Sequence, residues 1–106
     1  MERHKPTYDL SEVKKLVTLG RVGSTKRVRS FIENHIGQPE TVVSEILKGT
    51  HESDFVKSVE LNILPGTFAD IYLVFYDSDD WYLKFYIDSD KAFVQVLSCN
   101  IDGFIH

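Results

Sequence analysis

The sequence predicts an α+β fold, in which three N-terminal helices pack on a C-terminal antiparallel sheet of about four strands. Apolar residues recur at helical spacing in the first half of the chain, and β-branched and aromatic residues dominate the second half. The chain has 106 residues, 42% of them hydrophobic, which suffices for one modest core. We therefore expect a single domain spanning residues 1–106.

Local signals delimit the three helices. Asp9 is a typical N-cap for the first helix, and Gly20 ends it. The second helix is predicted to follow Ser24 and to end at Gly37, and the third begins at Pro39, a residue that suits a first helical turn. Helices this short need another surface to pack against.

Four segments are predicted as strands because they are rich in β-branched and aromatic residues and are separated by turn-forming residues. They are Phe55–Leu61, Phe68–Tyr76, Trp81–Asp88 and Ala92–Cys99. The third strand alternates sharply, which places one set of side chains in the core and the other set on the opposite face. The predicted core set is Trp81, Leu83, Phe85 and Ile87, and the opposite set is Tyr82, Lys84, Tyr86 and Asp88.

A two-residue turn at Ser89-Asp90 would set the register between the last two strands. It would place Lys84 opposite Gln95 and Tyr82 opposite Leu97. The sheet face that carries these residues is then mixed in polarity.

Several classes of protein and site are excluded by composition. No apolar run approaches the roughly 18 residues of a membrane span, and the charged start of the chain is not a signal peptide, so we expect a soluble cytoplasmic protein. One cysteine and four scattered histidines offer neither a disulfide nor a metal-ligand spacing. We expect no metal and no cofactor.

Charge is distributed unevenly along the chain. Residues 1–31 carry eight Lys/Arg and three acids, whereas residues 32–106 carry four lysines and thirteen acids. The basic residues of the two first helices could hold an RNA backbone or could simply be solvated, and the acidic body could meet a basic partner. The candidate RNA-binding cations are Lys14, Lys15, Arg21, Lys26, Arg27 and Arg29.

Lys57 is the only Lys or Arg between Lys48 and Lys84. A cation held against a sheet can stabilise charge that develops during a reaction, although a solvated surface lysine is the simpler interpretation. Tyrosine and lysine on one sheet face can bind single-stranded RNA, since aromatic rings stack on bases and ammonium groups meet phosphates. A lysine and a tyrosine near one phosphodiester could also cleave it without a metal.

Four segments, in order and with nearly constant spacing, resemble the MqsR family of type II toxins. They are Met1–Val17, Glu52–Ser58, Asp70–Tyr72 and Trp81–Lys84, and the resemblance runs over residues 1 to about 98. It implies a RelE-like α+β fold and a metal-independent mRNA interferase that cuts single-stranded mRNA. It also implies a cognate antitoxin with a zinc-binding N-terminal domain and a helix-turn-helix C-terminal domain.

The resemblance assigns the family's active-site lysine to Lys57 and its tyrosine to Tyr82. Two positions depart from the family, because its glutamine falls on Ala69 and its late lysine falls near Ser98. Losing an amide and a cation removes two groups able to hold phosphate. Lys84 and Gln95 are the candidate substitutes beside Tyr82.

Two functional hypotheses follow. The first is an endoribonuclease toxin with Lys57, Tyr82 and Lys84 as its catalytic residues, in which the basic residues of the first two helices hold either the RNA backbone or the antitoxin. The second is a catalytically degenerate family member that binds an antitoxin or regulates a toxin–antitoxin pair. The tail Asn100–His106 is compatible with a final strand or a docking segment.

Overall fold

A computed structural model describes residues 1–103 as three helices lying on one face of a six-stranded mixed sheet. Along the sheet the strand order is β1-β3-β4-β5-β6-β2. A short 3₁₀ turn at Glu52–Asp54 leads from the last helix into the first long strand. The elements are α1 Leu10–Thr18, α2 Lys26–His35, α3 Pro39–Lys48, β1 Glu2–Arg3, β2 Val22–Ser24, β3 Phe55–Leu61, β4 Leu64–Tyr76, β5 Asp79–Asp88 and β6 Phe93–Ile101.

The predicted fold class, with an antiparallel sheet of about four strands, is wrong. Short strands extend the sheet at both edges, and β2 runs parallel to β6, so that the sheet is mixed. Strands of two and three residues are too short to show an alternation of polar and apolar residues in the sequence. They form only where a neighbouring strand supplies the hydrogen bonds. In β2, Gly23 lies under the ring of Phe93, and a Cβ at this position would lie 2.7 Å from that ring.

The helices lie where periodicity predicts them. Asp9 caps α1 by accepting a hydrogen bond from the backbone N–H of Ser11. The cap of α2 is Thr25, which accepts from the N–H of Val28, rather than Ser24 as predicted. Ser24 is displaced from this role because it belongs to β2.

The hydrophobic core lies between the three helices and one face of the sheet, which we call the helix face. Trp81, Leu83 and Phe85 of β5 are at most 1% exposed and meet the apolar sides of the helices, as the alternation predicts. Ile87, predicted with them, is only half-buried. None of the helices in residues 1–103 is long and apolar enough to cross a bilayer.

The predicted two-residue turn between β5 and β6 is wrong. The loop has four residues, Ser89 to Ala92, and Ala92 has a φ of 47°. Gln95 therefore lies opposite Tyr86 rather than opposite Lys84. The tail, residues 100–106, lies partly in a strand, since Asn100 and Ile101 belong to β6. Residues 104–106 lie outside the described part of the chain.

A buried carboxylate fixes the N-terminal segment to the sheet. Asp70 of β4 is fully buried and accepts hydrogen bonds from the backbone N–H groups of Thr7 and Tyr8 at 2.9–3.0 Å. Tyr8 also donates its hydroxyl to the carbonyl of Phe68, and the guanidinium of Arg3 lies 3.6 Å above the Phe68 ring. These contacts hold residues 1–8 against the edge of the sheet.

We expect Asp70→Ala to lower the free energy of unfolding by about 2–4 kcal/mol, since it removes the hydrogen bonds that a buried carboxylate accepts from two backbone N–H groups. Urea denaturation followed by circular dichroism measures the change. Asp90→Ala, in the exposed β5–β6 loop, is the matched control and should change stability by less than about 0.5 kcal/mol. Equal effects of the two substitutions would contradict the anchoring role of Asp70.

Candidate functional site on the open face of the sheet

The sheet face opposite the helices, here called the open face, carries a row of four residues contributed by four adjacent strands. Lys57 of β3 pairs with Ile71 of β4, Ile71 pairs with Lys84 of β5, and Lys84 pairs with Ser98 of β6. Directly paired residues share a face, so these four side chains lie side by side. Ile71 is only 2% exposed, although it lies on this face.

Two β-bulges set the orientation of this row. The register shifts between Phe55 and Lys57, so Phe55 packs its ring 5.5 Å from that of Tyr72 on the helix face, while Lys57 points to the open face. Without a bulge, residues two apart in a strand would share a face. A second bulge, opposite Lys84 and Phe85, separates Val96 in the core from Ser98 on the open face in the same way.

Tyr82 lies on the open face one step along β5 from Lys84, where it pairs with Leu73 and Asn100. Its side chain is half-buried, and this burial raises the pKa of Tyr82 above its usual value, although the Lys57 ammonium opposes the rise. Lys57 and Tyr82 are thus close enough to interact electrostatically. The structure brings together all three predicted catalytic residues, Lys57, Lys84 and Tyr82, on one face.

Lys57 forms an ion pair that the sequence did not reveal. Its Nζ donates a hydrogen bond to Oε2 of Glu2 at 2.8 Å. The hydrogen bond and the negative charge of Glu2 raise the pKa of Lys57, and Lys57 in turn lowers the pKa of Glu2. Glu2 could not be found from the sequence because it lies in a two-residue strand and pairs with a residue 55 positions away.

The directions of these pKa shifts decide which chemistry the site can perform. At neutral pH Lys57 is a cation and Tyr82 is a neutral phenol, because both pKa values are raised from values that already lie near 10. A lysine in this state stabilises negative charge, and a neutral phenol donates a proton or a hydrogen bond. Neither group is prepared to act as a base.

The two positions at which the resemblance implies a departure, Ala69 and Ser98, also lie on the open face. Ala69 is fully buried beside Ile71 and pairs with Val59. Its methyl side chain offers no polar group to a substrate. Ser98 is the direct cross-strand neighbour of Lys84. Gln95, predicted beside Lys84 and Tyr82, instead pairs with Tyr86 farther along the strand, because of the four-residue loop and the second bulge.

The predicted RNA-binding cations lie on different elements of the fold. Lys14 and Lys15 lie on α1, which packs on the helix face. Arg21 donates its Nε to the carbonyl of Ala92 at 2.8 Å, and Arg29 donates to the carbonyl of Ser24. Lys26 is exposed at the first residue of α2.

Arg27 is the cation of this group that lines a cavity shared with the sheet. The cavity has a volume of about 530 Å³ and lies between α2 and the outer edge of β6. Tyr82 and Ser98 also line it, which makes it continuous with the row on the open face. The sequence carried no signal for it, because α2 and β6 are far apart along the chain.

Replacing Glu2 by Gln should lower the pKa of Lys57 toward its usual value, since the carboxylate that stabilises the ammonium is lost. Titration of Lys57 by NMR, through its side-chain ¹³Cε resonance, measures the shift. Glu12→Gln on α1 serves as the control and should leave the Lys57 titration unchanged. A Lys57 pKa that is the same in the native protein and the Glu2 variant would show that the ion pair does not persist in solution.

Comparison with known proteins supplies the family. Residues 5–98 match the sequence model of a family described as "Motility quorum-sensing regulator, toxin of MqsA". No curated protein matches the chain significantly. Because the family match covers nearly the whole chain, the protein belongs to the MqsR toxin family, which makes it the toxin of a toxin–antitoxin system with an antitoxin as its partner.

Proposed function

We propose that this toxin is a metal-independent endoribonuclease that arrests growth by cleaving single-stranded mRNA at short sequence sites. The observation that supports it most directly is the convergence of Lys57, Lys84 and Tyr82 on the open face. Two residues of the row, on either side of Ile71, carry ammonium groups, and a phenol lies next to the row. Cations and a proton donor on one accessible face are the groups that a phosphodiester cleavage without metal requires.

In the proposed reaction the 2′-hydroxyl oxygen of a nucleotide attacks the adjacent phosphorus, and the bond from phosphorus to the 5′ oxygen breaks. The attacking hydroxyl loses its proton to water, because neither the Lys57 ammonium nor the Tyr82 phenol acts as a base at neutral pH. Lys57 and Lys84 stabilise the negative charge on the phosphorane. Tyr82 donates its proton to the departing 5′ oxygen and regains one from water, leaving a 2′,3′-cyclic phosphate and a 5′-hydroxyl.

Lys84 has a specific role in this proposal. Its partner across the strand pair is Ser98, near which the family's late lysine falls. An ammonium on β5 therefore lies beside the place where the family has one on β6, and we propose that Lys84 takes over its role. The cognate antitoxin, with a zinc-binding domain and a helix-turn-helix domain, is proposed as the partner that blocks the toxin.

Lys57→Ala should reduce RNA cleavage about 100-fold or more, since it removes a charge that stabilises the transition state. Tyr82→Phe should reduce cleavage by a similar factor, because it removes the proton donor for the departing oxygen and leaves the ring in place. Cleavage of labelled single-stranded RNA in EDTA measures both effects. Matched controls are Lys91→Ala in the β5–β6 loop and Tyr86→Phe on the same face of β5, both of which should remain active.

The same variants can be expressed in cells without antitoxin, where the native chain should arrest growth and Lys57→Ala should not. Native protein that leaves RNA intact in EDTA and growth undisturbed would disprove the nuclease.

The role of Lys84 can be tested by moving its charge across the strand pair. Lys84→Ala should lower cleavage at least tenfold, and Lys84→Ala combined with Ser98→Lys should restore most of it, since the ammonium returns to the neighbouring strand. Cleavage rates at saturating RNA give the comparison. A double variant no more active than Lys84→Ala would contradict the substitution of one lysine for the other.

A second candidate function is a family member that binds the antitoxin without cutting RNA. It is favoured by the fully buried Ala69, which supplies no group for phosphate, and by the ion pair that neutralises Lys57. In that case the purified protein would bind the antitoxin but yield no RNA fragments. The EDTA assay therefore separates the two functions.

A further inference from the structure

The cavity between α2 and β6 exists because the sheet edge is incomplete there. β2 pairs only with Val94 to Val96, so the outer edge of β6 from Leu97 onward is not covered by β2. α2 passes beside this edge, and the space between them measures about 530 Å³. That volume lies within the roughly 300–1,000 Å³ typical of small-molecule sites.

The lining of the cavity suits a nucleotide. Arg27 supplies a positive charge, and no Asp or Glu lines the cavity, although acids outnumber Lys and Arg in the chain by 16 to 12. Asn34 of α2 and Asn100 of β6 supply side-chain amides from opposite walls. An amide both donates and accepts hydrogen bonds, which is what reading the edge of a base requires.

The cavity also adjoins the proposed cleavage site. Tyr82 and Ser98 line the cavity and also belong to the open face. An RNA chain with a phosphate beside Lys57 and Lys84 can therefore place its next nucleotide in the cavity. Apolar surface for a base comes from Leu97 and from Phe31, whose ring is stacked on that of His35 in the cavity wall at 4.1 Å between centroids. Asn100 already donates its Nδ2 to the carbonyl of Ile101, which leaves the side-chain oxygen as an acceptor.

We infer that this cavity binds the base of the RNA nucleotide adjoining the scissile phosphate, and that Asn34 and Asn100 set the sequence preference of cleavage. The inference rests on the proposed function, since it assigns a subsite of the same RNA. It predicts that sequence preference is determined by residues of α2 and the end of β6, and not by the lysines that stabilise charge.

Binding is tested with the full chain labelled with ¹⁵N and with 2′-O-methyl RNA tetramers, which cannot be cleaved because the attacking hydroxyl is blocked. The chain has three asparagines, and Asn62, exposed in the β3–β4 turn, is a built-in control. We expect the side-chain amide resonances of Asn34 and Asn100 to shift on adding RNA, while those of Asn62 stay in place. Shifts at Lys57 and Lys84 without shifts at Asn34 and Asn100 would overturn the subsite and leave the nuclease standing.

Specificity is tested by sequencing the cleavage products. Asn34→Ala and Asn100→Ala should lower discrimination between the preferred and the next-best base about tenfold at one position, whereas Asn62→Ala should not. An unchanged preference in both variants would overturn the inference even if RNA is still cut. If the native protein neither cuts RNA nor shows any shift with the tetramers, the subsite and the proposed function both fail.

Discussion

The candidate site depends on two β-bulges. One lies between Phe55 and Lys57, and the other lies on β6 between Val96 and Ser98. Each inserts a residue and thereby turns the next side chain from the helix face to the open face. If either bulge were absent, one end of the row would point into the core, where the Lys57 ammonium or the Ser98 hydroxyl would lose its hydration. The polar row on the open face and the apolar packing of the helix face are therefore consequences of the same two irregularities.

The N-terminal segment couples a buried interaction to the exposed site. Asp70 holds the backbone of Thr7 and Tyr8, which keeps β1 paired with β3. β1 in turn places Glu2 beside Lys57. A carboxylate inside the protein thus contributes to the electrostatics of a lysine on its surface, because a chain anchored at one point has few positions available at the next. For the proposed nuclease, a substrate phosphate has to compete with Glu2 for the same ammonium.

The basic residues of the first third of the chain have different roles despite their closeness in sequence. Arg21 and Arg29 donate hydrogen bonds to backbone carbonyls. Lys14 and Lys15 lie on α1, which packs on the helix face, and Arg27 lines the cavity. Clustering along the sequence indicated a single basic surface. The fold separates the cluster, since these residues lie on different elements with different contacts.

The sequence by itself determined the local features. Helical periodicity and caps placed α1 and α3, alternation placed Trp81, Leu83 and Phe85 in the core, and the resemblance to the family singled out Lys57 and Tyr82. These features depend on neighbouring residues, which a sequence displays directly. Only the tertiary structure decided the edge strands, the parallel pairing of β2, the bulges, the pairing of Lys84 with Ser98 and the ion pair of Glu2. Each of these depends on hydrogen bonds or charges between residues far apart in the chain, and a shift of one residue in register reverses which face a side chain occupies.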